Sequence, residues 1–187
     1  MNLVTKVNQS TTNESTTKSS TVDSCNQANR KVQPLLISEC ITPIWANVRA
    51  VRSSVRERLV EYPSEFNHAA TMVSSELLEN AIKYGEVVKA APMVLFHLGL
   101  VDDAIQVKVV NGSTDSVAVD ELICHVRQVN QSSDKAALYQ ARLEELLMNP
   151  STSAKLGIYR IAHEGRFDIE CTYVNEVVTV IATRSLP

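Results

Sequence analysis

The chain has 187 residues, 44% of them hydrophobic and 21% charged, with a formal net charge of -3. That length suits one domain with a tail, and the composition is that of an ordinary globular protein. The slightly acidic balance gives no electrostatic ground for a nucleic-acid partner, and no apolar run approaches the roughly 18 residues that a membrane span needs.

Residues 1–32 are dominated by Ser, Thr, Asn and Gln and offer few groups to bury. Such a segment cannot repay its ordering entropy, so the sequence predicts a disordered tail followed by a single domain over 33–187. The tail lacks the apolar core of a signal peptide, which leaves the cytoplasm as the expected location. The four cysteines (25, 40, 124 and 171) form no CxxC pair, and the four histidines (68, 97, 125 and 163) are isolated. Neither a disulfide framework nor a zinc site is expected from that spacing.

From Pro34 the chain turns apolar, and "PLLISECI" reads as a strand or an arm packed on the domain. A helix follows, with Thr42 as its cap, Pro43 at its first position, and Ile44, Val48, Val51, Val55 and Leu59 on one face. Its arginines, at 49, 52, 56 and 58, read as the solvated side. Pro63 breaks it, Ser64 caps the next helix, and Gly85 ends that one. "PMVLFHLGLV" and "AIQVKVVN" then make a hairpin, with Asp102 and Asp103 as turn residues rather than a catalytic pair. Two helical stretches come next, "VAVDELICHVRQVN" and a second that Pro150 stops. A short helix ending at Gly165 and a closing hairpin around Val174, Asn175 and Glu176 complete the chain. The order predicts an α+β protein, a two-layer α/β sandwich whose mixed, mostly antiparallel sheet carries its helices on one face.

Within the second helix, "SSELLENAIKYGE" buries Leu77, Leu78, Ala81 and Ile82, yet it also sets Glu76, Asn80 and Lys83 at steps of four and three. That spacing stacks three polar groups on one face. A stripe that merely meets water would look the same. The alternative is a face that holds something small and charged.

"SSELLENAIKYG" resembles the N-box of the histidine-kinase-like (GHKL) ATPases, the Bergerat-fold group. Its form, Glu-x-x-x-Asn-Ala with a basic and an aromatic residue just beyond, is most similar to the anti-sigma-factor serine kinases. The order of elements over residues 40–184 is similar too. The segments Val110–Leu147 and Ser153–Arg184 resemble the SiaB-like branch, in which long helices replace the glycine-rich ATP lid. The resemblance implies a regulatory switch that binds ATP or ADP with Mg²⁺. It also implies a STAS-domain anti-sigma-factor antagonist as partner, with a sigma factor or other regulator beyond it, and serine/threonine kinase activity on the STAS partner. In that frame Asn80 supplies an oxygen to Mg²⁺, Glu76 takes a proton from the attacking hydroxyl, and Lys83 balances phosphate charge.

The family's other motifs are incomplete here. Asn111 stands where the base-binding Asp would be, Gly112 follows it, and the second glycine is missing, with Asp115 as a displaced acceptor. At the phosphate end only Gly157 remains, with Lys155 at the earlier glycine position and Ser151 or Ser153 as hydroxyl donors. Tyr159 and Arg160 belong to the same branch pattern. The alternative to a kinase is therefore a degenerate, nucleotide-independent protein-binding module of the same fold. A third reading is a homodimerisation domain that uses the Trp45-bearing helix.

Overall fold

The structure, a computed structural model, describes residues 35–149 and 156–187, and these belong to one compact unit. The expected tail over 1–32 and the readings on Pro150, Ser151, Ser153 and Lys155 lie outside the described residues. Among the described residues, five strands and five helices run in the order β1 (Leu35–Ile41), α1 (Trp45–Arg58), α2 (Ser64–Tyr84), β2 (Val94–Val101), β3 (Ala104–Gly112), α3 (Ser116–Gln131), α4 (Lys135–Met148), α5 (Leu156–His163), β4 (Asp168–Val174) and β5 (Val177–Ser185).

The strands form one sheet in the order β1-β2-β3-β5-β4. Each pairing is antiparallel, so the expected mixed sheet is corrected to an antiparallel one. The cause is the return path. The three helices after β3 deliver a hairpin whose second strand, β5, lies against β3 and runs opposite to it.

Period-two alternation makes the two faces of the sheet different. Phe96 and Leu98 of β2, Ile105, Val107 and Val109 of β3, and Val178, Val180 and Ala182 of β5 are buried under the helices. Ser38, His97 and Lys108 share the opposite face, exposed or half-buried. This is a two-layer α+β sandwich, its described helices packed on one face of the sheet. The hairpin turns need backbone that bends left-handed, and Asp102 and Asp103 (φ 49° and 59°) and Asn175 and Glu176 (φ 51° and 63°) supply it.

Two helix starts differ from expectation. α1 begins at Trp45 with Ile44 at its cap position, and Ile44 is 52% exposed instead of joining the core. Thr42 serves the helix from outside, since both its backbone and side-chain oxygens accept from Asn47. α2 starts at Ser64, with Pro63 at the cap position. Gly85 does end α2, but with φ -81°, so no left-handed turn is involved. A Cβ there would sit 2.1 Å from the Ala81 carbonyl oxygen, and that crowding is what requires glycine.

Candidate functional site

α2 is the spine of the site. Its apolar stripe (Val73, Leu77, Leu78, Ala81) faces the sheet, which leaves Glu76, Glu79, Asn80, Lys83 and Tyr84 along its margin. Two hollows meet on that margin. The first is an apolar slot. Leu77 and Ala81 of α2, Val109 and Asn111 of β3, Val119 and Leu122 of α3, Ile158 of α5, and Val178 and Val180 of β5 wall it. The second is a polar cleft bounded by Trp45, Glu76, Glu79, Lys83, Leu156, Gly157 and Arg160. Asn80 and Tyr84 line both. The slot is narrow, about 60 Å³, and the cleft roomier, about 400 Å³.

The cleft is built from ion pairs. Arg160 Nη1 donates to Glu76 Oε1 at 2.8 Å, and Arg160 Nε donates to Glu164 Oε2 at 2.9 Å. Tyr139 of α4 donates its hydroxyl to the other oxygen of Glu164 at 2.9 Å, so the chain of contacts runs from α2 through α5 to α4. Burial acts to raise Glu164, but the hydrogen bonds from Arg160 and Tyr139 hold its carboxyl below the usual range. Glu79 goes the other way. Burial raises its carboxyl, Glu76 adds to the push, and Arg52 and Arg160 oppose it. Lys83 is exposed, its ammonium 4.9 Å from the centre of the Tyr84 ring.

Gly157 explains how close α5 comes. A Cβ there would lie 2.7 Å from Glu76 Oε2 and 3.4 Å from Asn80 Nδ2, so the helix backbone rests against the two residues of the expected motif. The sequence reading and the structure thus bring Glu76, Asn80, Lys83 and Gly157 to one cleft. Asn111 sits in the slot, 8% exposed, its amide donating to the Gly112 carbonyl at 3.0 Å.

Gly112 and Asp115 are placed elsewhere. A Cβ on Gly112 would meet the Glu86 carbonyl oxygen and a Val88 methyl, each at 2.5 Å, so this glycine admits the segment after α2 and is not among the residues lining the slot. Glu86 fastens that segment, its carboxylate accepting from the Thr114 amide at 2.7 Å and from the Thr114 hydroxyl. Asp115 caps α3, accepting from the Ala118 amide at 2.9 Å. Tyr159 is 4% exposed and bonds His125 Nδ1 and Gln128, which makes it a packing residue between α5 and α3.

Glu79, Tyr84, Trp45 and the pairing role of Arg160 were missed from sequence. Helical spacing was signal enough for Glu79, three residues after Glu76, and Tyr84, four after Asn80. Trp45 and Arg160 reach the cleft through tertiary packing alone. Among the described residues, no group of three or more His, Cys, Asp and Glu side chains is gathered to hold a metal, and no helix is long and apolar enough to cross a membrane.

The geometry defines a class: an antiparallel α+β sandwich with an apolar slot and a charged cleft joined at Asn80 and Tyr84. Comparison with known proteins adds little to that. No family model and no curated protein matches the chain. Among solved structures it is similar to "The crystal structure of the RsbU and RsbW domains of Rv1364c from Mycobacterium tuberculosis", at 14% identity and a TM-score of 0.48. The likeness covers 82% of this chain and 32% of that one, and the functional reading rests instead on the site's own geometry.

Proposed function

We propose that this protein is a nucleotide-binding regulatory switch of the histidine-kinase-like, anti-sigma-factor type. The base of ATP or ADP enters the slot, and the phosphates lie in the cleft. One observation carries the reading: an apolar hollow and a charged hollow share Asn80 and Tyr84, which is the shape of a ligand with a flat apolar end and an anionic end. The cleft's size falls within the range of small-molecule sites.

The donor set suits magnesium brought in by a nucleotide. Mg²⁺ takes oxygen ligands and keeps several waters, so one amide oxygen from Asn80 together with phosphate oxygens fits its needs. When bound, the metal would neutralise phosphate charge. Asn80 would hold it, Lys83 would add a cation at the mouth, and Glu76 would be the carboxylate that accepts a hydroxyl proton. Phosphorylation of a serine or threonine on a STAS-domain antagonist is the activity that this arrangement would serve.

Calorimetric titration with ATP and ADP, with and without Mg²⁺, tests the reading. Magnesium-dependent binding that Asn80→Ala abolishes at unchanged thermal stability is the expected result. No heat at millimolar nucleotide would overturn it.

A second reading has its own support. Glu76 is already paired with Arg160, Gly157 packs against the motif residues, and the slot is narrow. Those features favour a nucleotide-independent module that binds its protein partner through the same fold.

A further inference from the structure

Arg160 is placed unlike the other cations of the cleft. Lys83 stands exposed at the mouth, whereas Arg160 is held at the wall by two carboxylates at once, with 42% of its side chain accessible. Glu76, its partner on α2, is more enclosed, with 19% accessible. Among the described residues that line the cleft, Glu76 and Glu79 set two carboxylates against the cations of Lys83 and Arg160. An entering phosphate gains most by taking the guanidinium from Glu76, because guanidinium and phosphate match as a two-pronged pair and a dianionic oxygen set outcompetes one carboxylate oxygen.

We propose that Arg160 is the phosphate-reading residue of this site, held in reserve by Glu76 until a phosphate group displaces that carboxylate. The inference rests on the nucleotide reading above and gives the site a regulatory property. Arrival of phosphate both anchors the ligand and frees the Glu76 oxygen that Arg160 holds. The Glu164–Tyr139 link extends the same event to α4, a helix with no fully buried residue.

The test is a set of titrations with adenosine, ADP and ATP, each with Mg²⁺, on wild type, Arg160→Gln, Arg160→Lys and Glu76→Gln. Wild type should bind more tightly with each added phosphate. Arg160→Gln should weaken ATP about tenfold or more while leaving adenosine within about twofold, the size expected for losing a charged hydrogen-bond pair. Arg160→Lys should restore part of the loss, keeping the charge without the fork. Glu76→Gln should tighten ATP, because it removes the competitor and a repelling charge. If Arg160→Gln weakens adenosine and ATP by one factor, Arg160 merely seats α5 and the inference falls while the nucleotide reading stands. Should Arg160→Gln fail to fold, Glu76→Gln decides alone: tighter ATP supports the inference, and unchanged or weaker ATP overturns it. Absence of ATP binding by wild type removes both readings.

Discussion

The slot and the cleft touch the same asparagine but are made by different physics. The slot's walls are core residues: Val109, Val119, Ile158, Val178 and Val180 are each at most 7% exposed and serve the fold first. The cleft is held by partly exposed ion pairs and a tyrosine hydrogen bond that together reach across three helices. A hollow cut into the core keeps its shape as long as the protein is folded. One closed by exposed charges answers to salt, pH and competing anions. The pairing of the two gives one site a fixed end and an adjustable end.

Changes that blur this contrast come in pairs. Ile158→Ala, in the slot wall and 2% exposed, should cost about 2–5 kcal/mol of stability by the usual penalty for truncating a core aliphatic, read as a fall in denaturation midpoint. Arg160→Gln, in the cleft wall, should cost under about 1 kcal/mol, as exposed ion pairs do. Equal losses for the two would erase the distinction. The glycines come next. Gly112→Ala drives a methyl into the Glu86 backbone and should cost about 1–3 kcal/mol, the range for overpacking. Gly157→Ala meets the movable end of Glu76, and the gain in helix propensity, about 1 kcal/mol, offsets the displacement, so its stability should stay near wild type.

Glu79 gives the smallest effect. Its folded-state pKa is raised, so the stability linked to its protonated form is present at acid pH and lost as pH rises through the folded value. Glu79→Gln should therefore match wild type in acid and exceed it at neutral pH by less than about 0.5 kcal/mol, the ordinary range for surface changes. Thermal melts at both pH values check this, and a larger gain in acid would contradict the sign.

Periodicity is what made the fold legible. The apolar steps of α1 and α2, the alternation in β2, β3 and β5, and the acidic and amide turn residues each state a local rule that packing then obeyed. That every strand pair among the described residues is antiparallel was not legible, because it depends on where three consecutive helices return the chain. For the site, helical spacing on α2 reached Glu76, Asn80 and Lys83. It could not tell that Gly112 makes room for residues 86–88 or that Asp115 caps α3, since both are demands of neighbours rather than of a ligand. Nor could it see that residue 160 meets residue 76, a contact made only once α5 is seated.

The strand order also bears on how the molecule comes together. β2–β3 and β4–β5 are hairpins of neighbouring residues, whereas the β3–β5 seam joins strands separated by residues 113–176. Local hairpins close quickly, and a seam of that span pays a larger loop-closure entropy before it is rewarded. The floor of the slot is that seam, with Val109 and Asn111 on one side and Val178 and Val180 on the other. A molecule lodged there would act as a clasp across that seam, slowing its opening more than it speeds its closing.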